Sequence, residues 1–149
     1  MAIEYRLILA DTNAVEKVAE RALPNNEERP AGATTPLKAG LQERYGFDVS
    51  FRAGQNRFFD AESDTGMWQW EPARAVWLTF WMAKDAETNE PLVNMLTVVR
   101  RVLDTGSEDA ALELNGNWLL LTRMDGTLTK HHRESWWDHY PGANDRIPG

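Results

Sequence analysis

A run of nine residues at 75–83, AVWLTFWMA, constrains the fold of this chain more than any other segment. Its residues are apolar at nearly every position, so both faces of the strand that it forms must be covered. The run therefore predicts a central strand in a sheet with other parts of the chain packed on either side. We expect Trp77, Phe80 and Trp81 to anchor the core.

Other segments predict further strands and hairpins. Strand patterns occur at residues 3–10, 47–53, 57–62, 110–114 and 118–123. Turn residues at 54–56 indicate that 57–62 returns as the hairpin partner of the strand before it. Asn115-Gly116 favours a type I′ turn between the last two strands, because both residues tolerate a positive φ.

Two segments have the apolar spacing of amphipathic helices. The first, 14–23, follows a capping box in which Asn13 caps the helix and Glu16 returns the bond. The second, 91–104, opens on a proline that suits the first turn and carries a wide apolar stripe. Residues 37–45 predict only a helical turn, which ends at the following glycine.

These elements predict an α+β fold. Strands outnumber helices and most are joined by hairpins, so we expect a mostly antiparallel sheet of five to six strands with two main helices packed on one face. The length of 149 residues corresponds to a single domain, 1–149. Within it, residues 24–36 contain three prolines and predict a flexible loop, and 130–149 predicts an extended segment or short helix.

Composition narrows the function classes. The net charge of −7 argues against nonspecific binding to nucleic acid or to an anionic membrane, since both require positive patches. Cysteine is absent, and no apolar run reaches the roughly 18 residues of a membrane span. Charged residues stand where a signal peptide would be apolar, so we expect a cytoplasmic protein.

The acidic charge is concentrated in one part of the chain. Residues 61–120 hold ten acidic and four basic residues. Such a region either keeps the protein soluble or attracts a basic protein partner.

No motif predicts catalysis or a bound cofactor. Glycine-rich phosphate loops and the G-x-S-x-G elbow are missing, and all three histidines lie between His131 and His139. On a helix, His131 and Asp138 would lie about 10 Å apart, too far to share a metal ion. Residues 60–71 approximate a calcium loop, but Thr65 occupies the position where that loop needs glycine. We therefore predict an acidic turn there, with no metal and no cofactor.

Tryptophan is the most unusual feature of the composition, with seven residues. Trp68 and Trp70 lie beside turns and polar residues, as do Trp136 and Trp137, so we expect at least one ring of each pair to be exposed. Exposed tryptophan is favoured at binding hot spots, because it buries a large rigid area at low entropic cost.

Several stretches resemble a known family. They are 1–10 (MAIEYRLILA), 44–47 (RYGF), 94–103 (NMLTVVRRVL) and 109–112 (DAAL) with Asn115-Gly116. They are similar to the Sit-type immunity proteins of the third group, and the similarity extends over about 3–124. The resemblance implies a bacterial cytoplasmic immunity protein that binds and neutralises a toxin delivered between kin cells. It carries no binding residues that could be transferred by position.

Together these observations predict a protein-binding domain that is not an enzyme. Its predicted partner is a basic toxin, and its predicted binding residues are Asp60, Glu62, Asp64, Trp68, Trp70 and Glu71. We expect a monomer or a weak homodimer. The alternatives are a small enzyme in which a carboxylate pairs with His132 or His139, an ion-binding domain at the acidic turn, and a self-associating module using the helix at 91–104.

Overall fold

A nine-stranded sheet forms the centre of the fold in the computed structural model, which describes residues 3–12, 14–30, 37–83 and 89–149. Over these residues the strands are β1 (Glu4–Ala10), β2 (Leu37–Leu41), β3 (Phe47–Gln55), β4 (Phe59–Ser63), β5 (Gly66–Trp70), β6 (Arg74–Met82), β7 (Ala110–Leu114), β8 (Trp118–Met124) and β9 (Thr127–Lys130). The helices are α1 (Val15–Ala22), α2 (Gln42–Tyr45), α3 (Glu90–Asp104) and α4 (Pro141–Asn144), with a turn of 3-10 helix at Trp137–His139.

The strands lie in the order β2-β3-β6-β1-β7-β8-β4-β5, with β9 beside β8. Pairing is antiparallel except for one parallel bridge between Glu62 of β4 and Trp118 of β8. The predicted hairpin between 47–53 and 57–62 was wrong, because β3 pairs with β2 and β6, whereas β4 pairs with β5 and β8. The apolar run at 75–83 forms most of β6, which lies between β3 and β1 as its composition predicts. Trp77 and Phe80 are buried in core clusters, whereas Trp81 is half-buried and lies outside them, so the expectation that Trp81 anchors the core was wrong.

The predicted sheet of five to six strands was too small. The sequence predicts a helical turn where β2 lies and an acidic turn where β5 lies, and it does not predict β9. Each of these strands has only four or five residues. β4 and β7 are equally short and were predicted, so length alone does not explain these errors. Pairing with a neighbouring strand stabilises the extended backbone of β2, β5 and β9.

Several local predictions agree with the structure. Asn115 and Gly116 have φ of 52° and 71°, as a type I′ turn requires. Gly46, with φ of 88°, ends the single turn of α2. The cap residue Asn13 and residues 31–36 of the predicted loop lie outside the described residues.

The main core lies on one face of the sheet. Alternate residues of β1, including Leu7 and Leu9, share a buried cluster with side chains from both main helices, such as Val18 of α1 and Val99 of α3. Trp136 and Trp137 belong to the same cluster. The expectation that one ring of this pair is exposed was wrong, because residues 131–149 fold back onto the core and bury both rings.

The β4–β5 hairpin continues the sheet beyond β8, and it also folds over the opposite face of β1 and β6 and covers part of that face. Ile8 of β1 points to this face and packs with Phe59, Ala75 and Trp77. A third cluster, formed by Ala61, Ala111 and Leu119, lies under the same hairpin. The acidic residues of the predicted turn at 60–71 therefore lie on the hairpin that covers these two clusters.

Candidate functional site

The predicted acidic turn is a hairpin with a two-residue loop. Pairing ends at Ser63 opposite Gly66, which leaves Asp64 and Thr65 as the loop. The Ser63 hydroxyl donates to the carbonyl of Gly66 at 2.7 Å and accepts a hydrogen bond from the Thr65 N–H at 3.2 Å. The φ of Gly66 is +119°, which L side chains rarely adopt. The segment 60–71 thus has the geometry of paired strands rather than that of a calcium loop.

The tryptophans of the hairpin project toward the sheet. Trp68 and Trp70 are half-buried and pack against both clusters beneath the hairpin. Their ring centroids lie 5.6 Å apart. Phe59 of β4 projects to the same side and contacts Trp77 edge-on, at a centroid distance of 5.9 Å. These side chains hold the hairpin against the sheet.

The opposite side of the hairpin is exposed and acidic. Because side chains alternate along a strand, Asp60 and Glu62 of β4 and Met67 and Gln69 of β5 point away from the sheet. Asp60 pairs with Gln69 and Glu62 with Met67. We call these four residues, together with Phe58 and Glu71 at the open end of the hairpin, the outer face.

Two large apolar side chains lie on this outer face. Phe58 is 55% exposed and Met67 is 65% exposed, and among the described residues the one other exposed large apolar side chain is Ile3. Residues 58–71 include four carboxylates and no lysine, arginine or histidine. The outer face therefore combines exposed apolar area with negative charge.

Asp64 connects the hairpin loop to residues that follow β9. Its carboxylate accepts a hydrogen bond from the backbone N–H of His132 at 2.9 Å, and its own N–H donates to Nδ1 of His131 at 3.4 Å. The ring of His132 stacks on Trp118 at a centroid distance of 4.3 Å. Burial lowers the pKa of His131, although the nearby Asp64 opposes this shift. Only the neutral form of His131 can accept the Asp64 N–H at Nδ1, and the lowered pKa of His131 favours that form.

A family model described as SitI3-like matches residues 3–141. The chain belongs to the SitI3-like family. No curated protein and no solved structure matches it. The match to the SitI3-like family extends beyond the resemblance at 3–124 and includes the whole hairpin and the two histidines that contact its loop.

Within the region that matches the SitI3-like family, an ion pair lies under the hairpin. The guanidinium of Arg6 on β1 contacts Oε1 of Glu113 on β7, and Glu113 is fully buried. The same guanidinium lies 5.1 Å from the ring centroid of Phe59. Burial raises the pKa of Glu113, although Arg6 opposes the shift. Arg6 thus connects β1 both to the ring of Phe59 in the hairpin and to the buried carboxylate of Glu113.

The alternatives to binding invoke a histidine paired with a carboxylate, an ion site or a self-associating helix. Nε2 of His132 contacts the carbonyl oxygen of Glu62 at 2.8 Å rather than a carboxylate. A cavity of about 650 Å³ lies near β2 and α2, and no histidine is among the described residues that line it. Over the described ranges, no group of three or more His, Cys, Asp or Glu side chains could hold a metal ion. Nor is any helix in this part of the chain long and apolar enough to cross a bilayer.

The structure divides the six predicted binding residues into three groups. Asp60, Glu62 and Glu71 are exposed, Trp68 and Trp70 pack toward the sheet, and Asp64 holds residues 131–132. Phe58 and Met67 were not among the predicted residues. The alternation around Trp68 places Met67 on the opposite side of β5, but only the docked hairpin shows which side faces outward.

Proposed function

We propose that this chain is a non-enzymatic immunity protein. In this proposal it acts as a single domain in the bacterial cytoplasm and neutralises a basic protein toxin by binding it through the outer face of the β4–β5 hairpin. Membership of the SitI3-like family supports the immunity role. The observation that carries the choice of surface is the combination of Phe58 and Met67 with carboxylates that no basic side chain in the hairpin neutralises.

The two kinds of side chain contribute differently to binding. In a typical interface, a few hot-spot residues supply most of the binding free energy. An exposed aromatic or methionine side chain that enters a pocket of the partner is suited to this role. The carboxylates of Asp60, Glu62 and Glu71 accelerate encounter with a basic surface and disfavour acidic partners. Trp68 and Trp70 support the hairpin from beneath and present their exposed edges along β5.

The test uses the toxin that an immunity protein requires as its partner. The proposal predicts a toxin gene beside the gene for this chain, and the purified product of that gene is the probe. Isothermal titration gives the dissociation constant, and growth of cells expressing the toxin shows whether the chain neutralises it. A toxin that the natural chain neither binds nor neutralises contradicts the proposal.

A triple variant tests the acidic surface against a matched control. The test variant is Asp60→Asn, Glu62→Gln, Glu71→Gln, and the control is Glu16→Gln, Glu43→Gln, Glu134→Gln, which removes three exposed carboxylates elsewhere. We expect the test variant to weaken binding roughly 10- to 100-fold at low salt and to flatten the salt dependence. The control should retain the natural affinity. Asp64 is left unchanged because it holds His132 in place. Equal weakening by both variants would show that the hairpin is the wrong surface.

A further inference from the structure

Among the described residues, no strand pairs with the edge of β5 that faces away from β4. Glu62, opposite Met67, donates its N–H to the carbonyl of Asn117 at 2.7 Å, and its own carbonyl contacts Nε2 of His132 at 2.8 Å. Both bonds lie on the side of β4 away from β5, so Glu62 and Met67 form a pair without mutual backbone hydrogen bonds. Such pairs alternate in an antiparallel ladder, and Gln69 therefore lies in a pair of the same kind.

The peptide groups of Met67 and Gln69 consequently point away from β4. In the described part of the chain, neither residue has a backbone partner on that side. β5 thus presents two N–H and two C=O groups in the spacing that a further strand requires.

β5 lacks the features that usually protect an edge strand. Its sequence, Gly-Met-Trp-Gln-Trp, contains no charged residue and no proline, and its pairing with β4 is continuous, without a bulge. Natural edge strands are commonly blocked by lysine, proline or a bulge, because an open edge pairs with other chains. β2, at the opposite end of the order, carries Lys38.

We infer that the edge of β5 receives an extended strand of the partner protein, which pairs with the backbone of Met67 and Gln69. This inference rests on the proposed function and gives the way in which the toxin would bind. Backbone hydrogen bonds would supply affinity, and the alternating side chains of the added strand would supply specificity.

The side chains around β5 indicate the composition of the added strand. On the inner side, the strand would lie beside the half-buried rings of Trp68 and Trp70, which favours apolar residues. On the outer side, Asp60 and Glu62 would be two strand spacings away, about 10 Å. Lysine and arginine side chains can bridge that distance, so the added strand should alternate basic and apolar residues.

A second copy of this chain is a poorer occupant of the same edge. Pairing of two β5 strands would bring two hairpins together, each with four carboxylates and no basic residue within 58–71. Such pairing would offer these carboxylates no basic side chain from 58–71 of the second copy, whereas a basic strand would offer them cations. The charge therefore favours a basic partner over self-association.

The experiment removes one outward N–H without changing the hairpin ladder. Gln69→Pro deletes the backbone donor at the open edge, where proline is tolerated, and Gln69→Ala keeps that donor as the matched control. With the purified toxin as probe, we expect Gln69→Pro to weaken binding by at least roughly 10-fold and Gln69→Ala by no more than about 3-fold. Thermal unfolding of both variants reports whether the hairpin remains folded.

Amide hydrogen exchange of the natural chain gives a second measurement that needs no variant. The amides of Met67 and Gln69 should exchange rapidly in the free chain and slowly in the complex, whereas those of Trp68 and Trp70 should be protected in both. Rapid exchange at Met67 and Gln69 in the complex overturns strand addition, even if Gln69→Pro fails to fold.

The outcomes separate this inference from the proposed function. Toxin binding that survives Gln69→Pro unchanged overturns strand addition and leaves the immunity role intact. A toxin that the natural chain does not bind overturns both. A dimer of the natural chain that becomes monomeric in Gln69→Pro would show that a second copy occupies the edge, and it also overturns the inference.

Discussion

Arg6→Met should destabilise the fold far more than replacement of its partner. Arg6 keeps 32% of its side chain exposed, whereas that of Glu113 has no exposure. Truncation of Arg6 leaves a buried carboxylate without its cation, and Oε2 of Glu113 already has no hydrogen-bond partner among the described residues. Glu113→Gln instead leaves a guanidinium that water can reach.

The expected magnitude follows from this asymmetry. Removal of one member of a buried ion pair costs about 3–5 kcal/mol, and partial exposure of Arg6 places this case near the lower end, at about 3 kcal/mol. For a chain of this length, that cost lowers Tm by about 6–12 °C. Glu113→Gln should cost about 1 kcal/mol. The double variant Arg6→Met, Glu113→Leu should cost less than Arg6→Met alone, because apolar side chains replace the whole pair.

The cost of Arg6→Met should also depend on pH. The pKa of Glu113 in the folded chain is raised by burial, and loss of Arg6 raises it further. A carboxyl of this kind stabilises the fold below its unfolded pKa, and that stability is lost as pH rises through the folded pKa. The cost should therefore be largest near about pH 7 and much smaller near about pH 4.

Urea unfolding of all four proteins at both pH values measures these differences. The reasoning would be refuted if Arg6→Met cost less than about 1 kcal/mol near neutral pH, or if its cost did not change on acidification.

Two further predictions concern the C-terminal segment and a glycine, with urea unfolding as the measurement. Nζ of Lys130 donates to Oδ1 of Asn144 at 2.6 Å and to the carbonyl of Ile147 at 2.7 Å. Lys130→Met should therefore lower the free energy of unfolding by about 2–4 kcal/mol. A decrease below about 1 kcal/mol would contradict this role of Lys130. A β-carbon at Gly46 would lie 2.5 Å from Cγ of Pro91, and φ there is +88°, so Gly46→Ala should cost about 2 kcal/mol or more. Gly116→Ala, with positive φ but open space, should cost only about 1 kcal/mol, and equal costs at the two glycines would refute the steric argument.

The predictions that agree with the structure rest on local signals. The apolar run of β6, the stripe of α3 and the Asn115-Gly116 turn each depend on a few neighbouring residues, and each is found where the sequence places it. The errors concern segments whose conformation depends on distant partners. β2 and β5 are strands because β3 and β4 pair with them.

The candidate site shows the same division between local and distant causes. The concentration of carboxylates at 60–71 was visible in the sequence, and so were the two tryptophans. The role of Asp64 was not visible, because the histidine that its carboxylate binds lies 68 residues further along the chain.

The sequence by itself determined the α+β class, the family and the acidic segment, because periodicity, motifs and charge are properties of the chain alone. The tertiary structure decided which side of the hairpin 60–71 faces solvent. Both sides of an isolated hairpin are open to water, and they become different only when one side is buried. Burial of Phe59, Trp68 and Trp70 against Ile8 and Trp77 turns the carboxylates, Phe58 and Met67 outward. The same docking leaves β5 at the end of the strand order, with its outer backbone edge unpaired among the described residues.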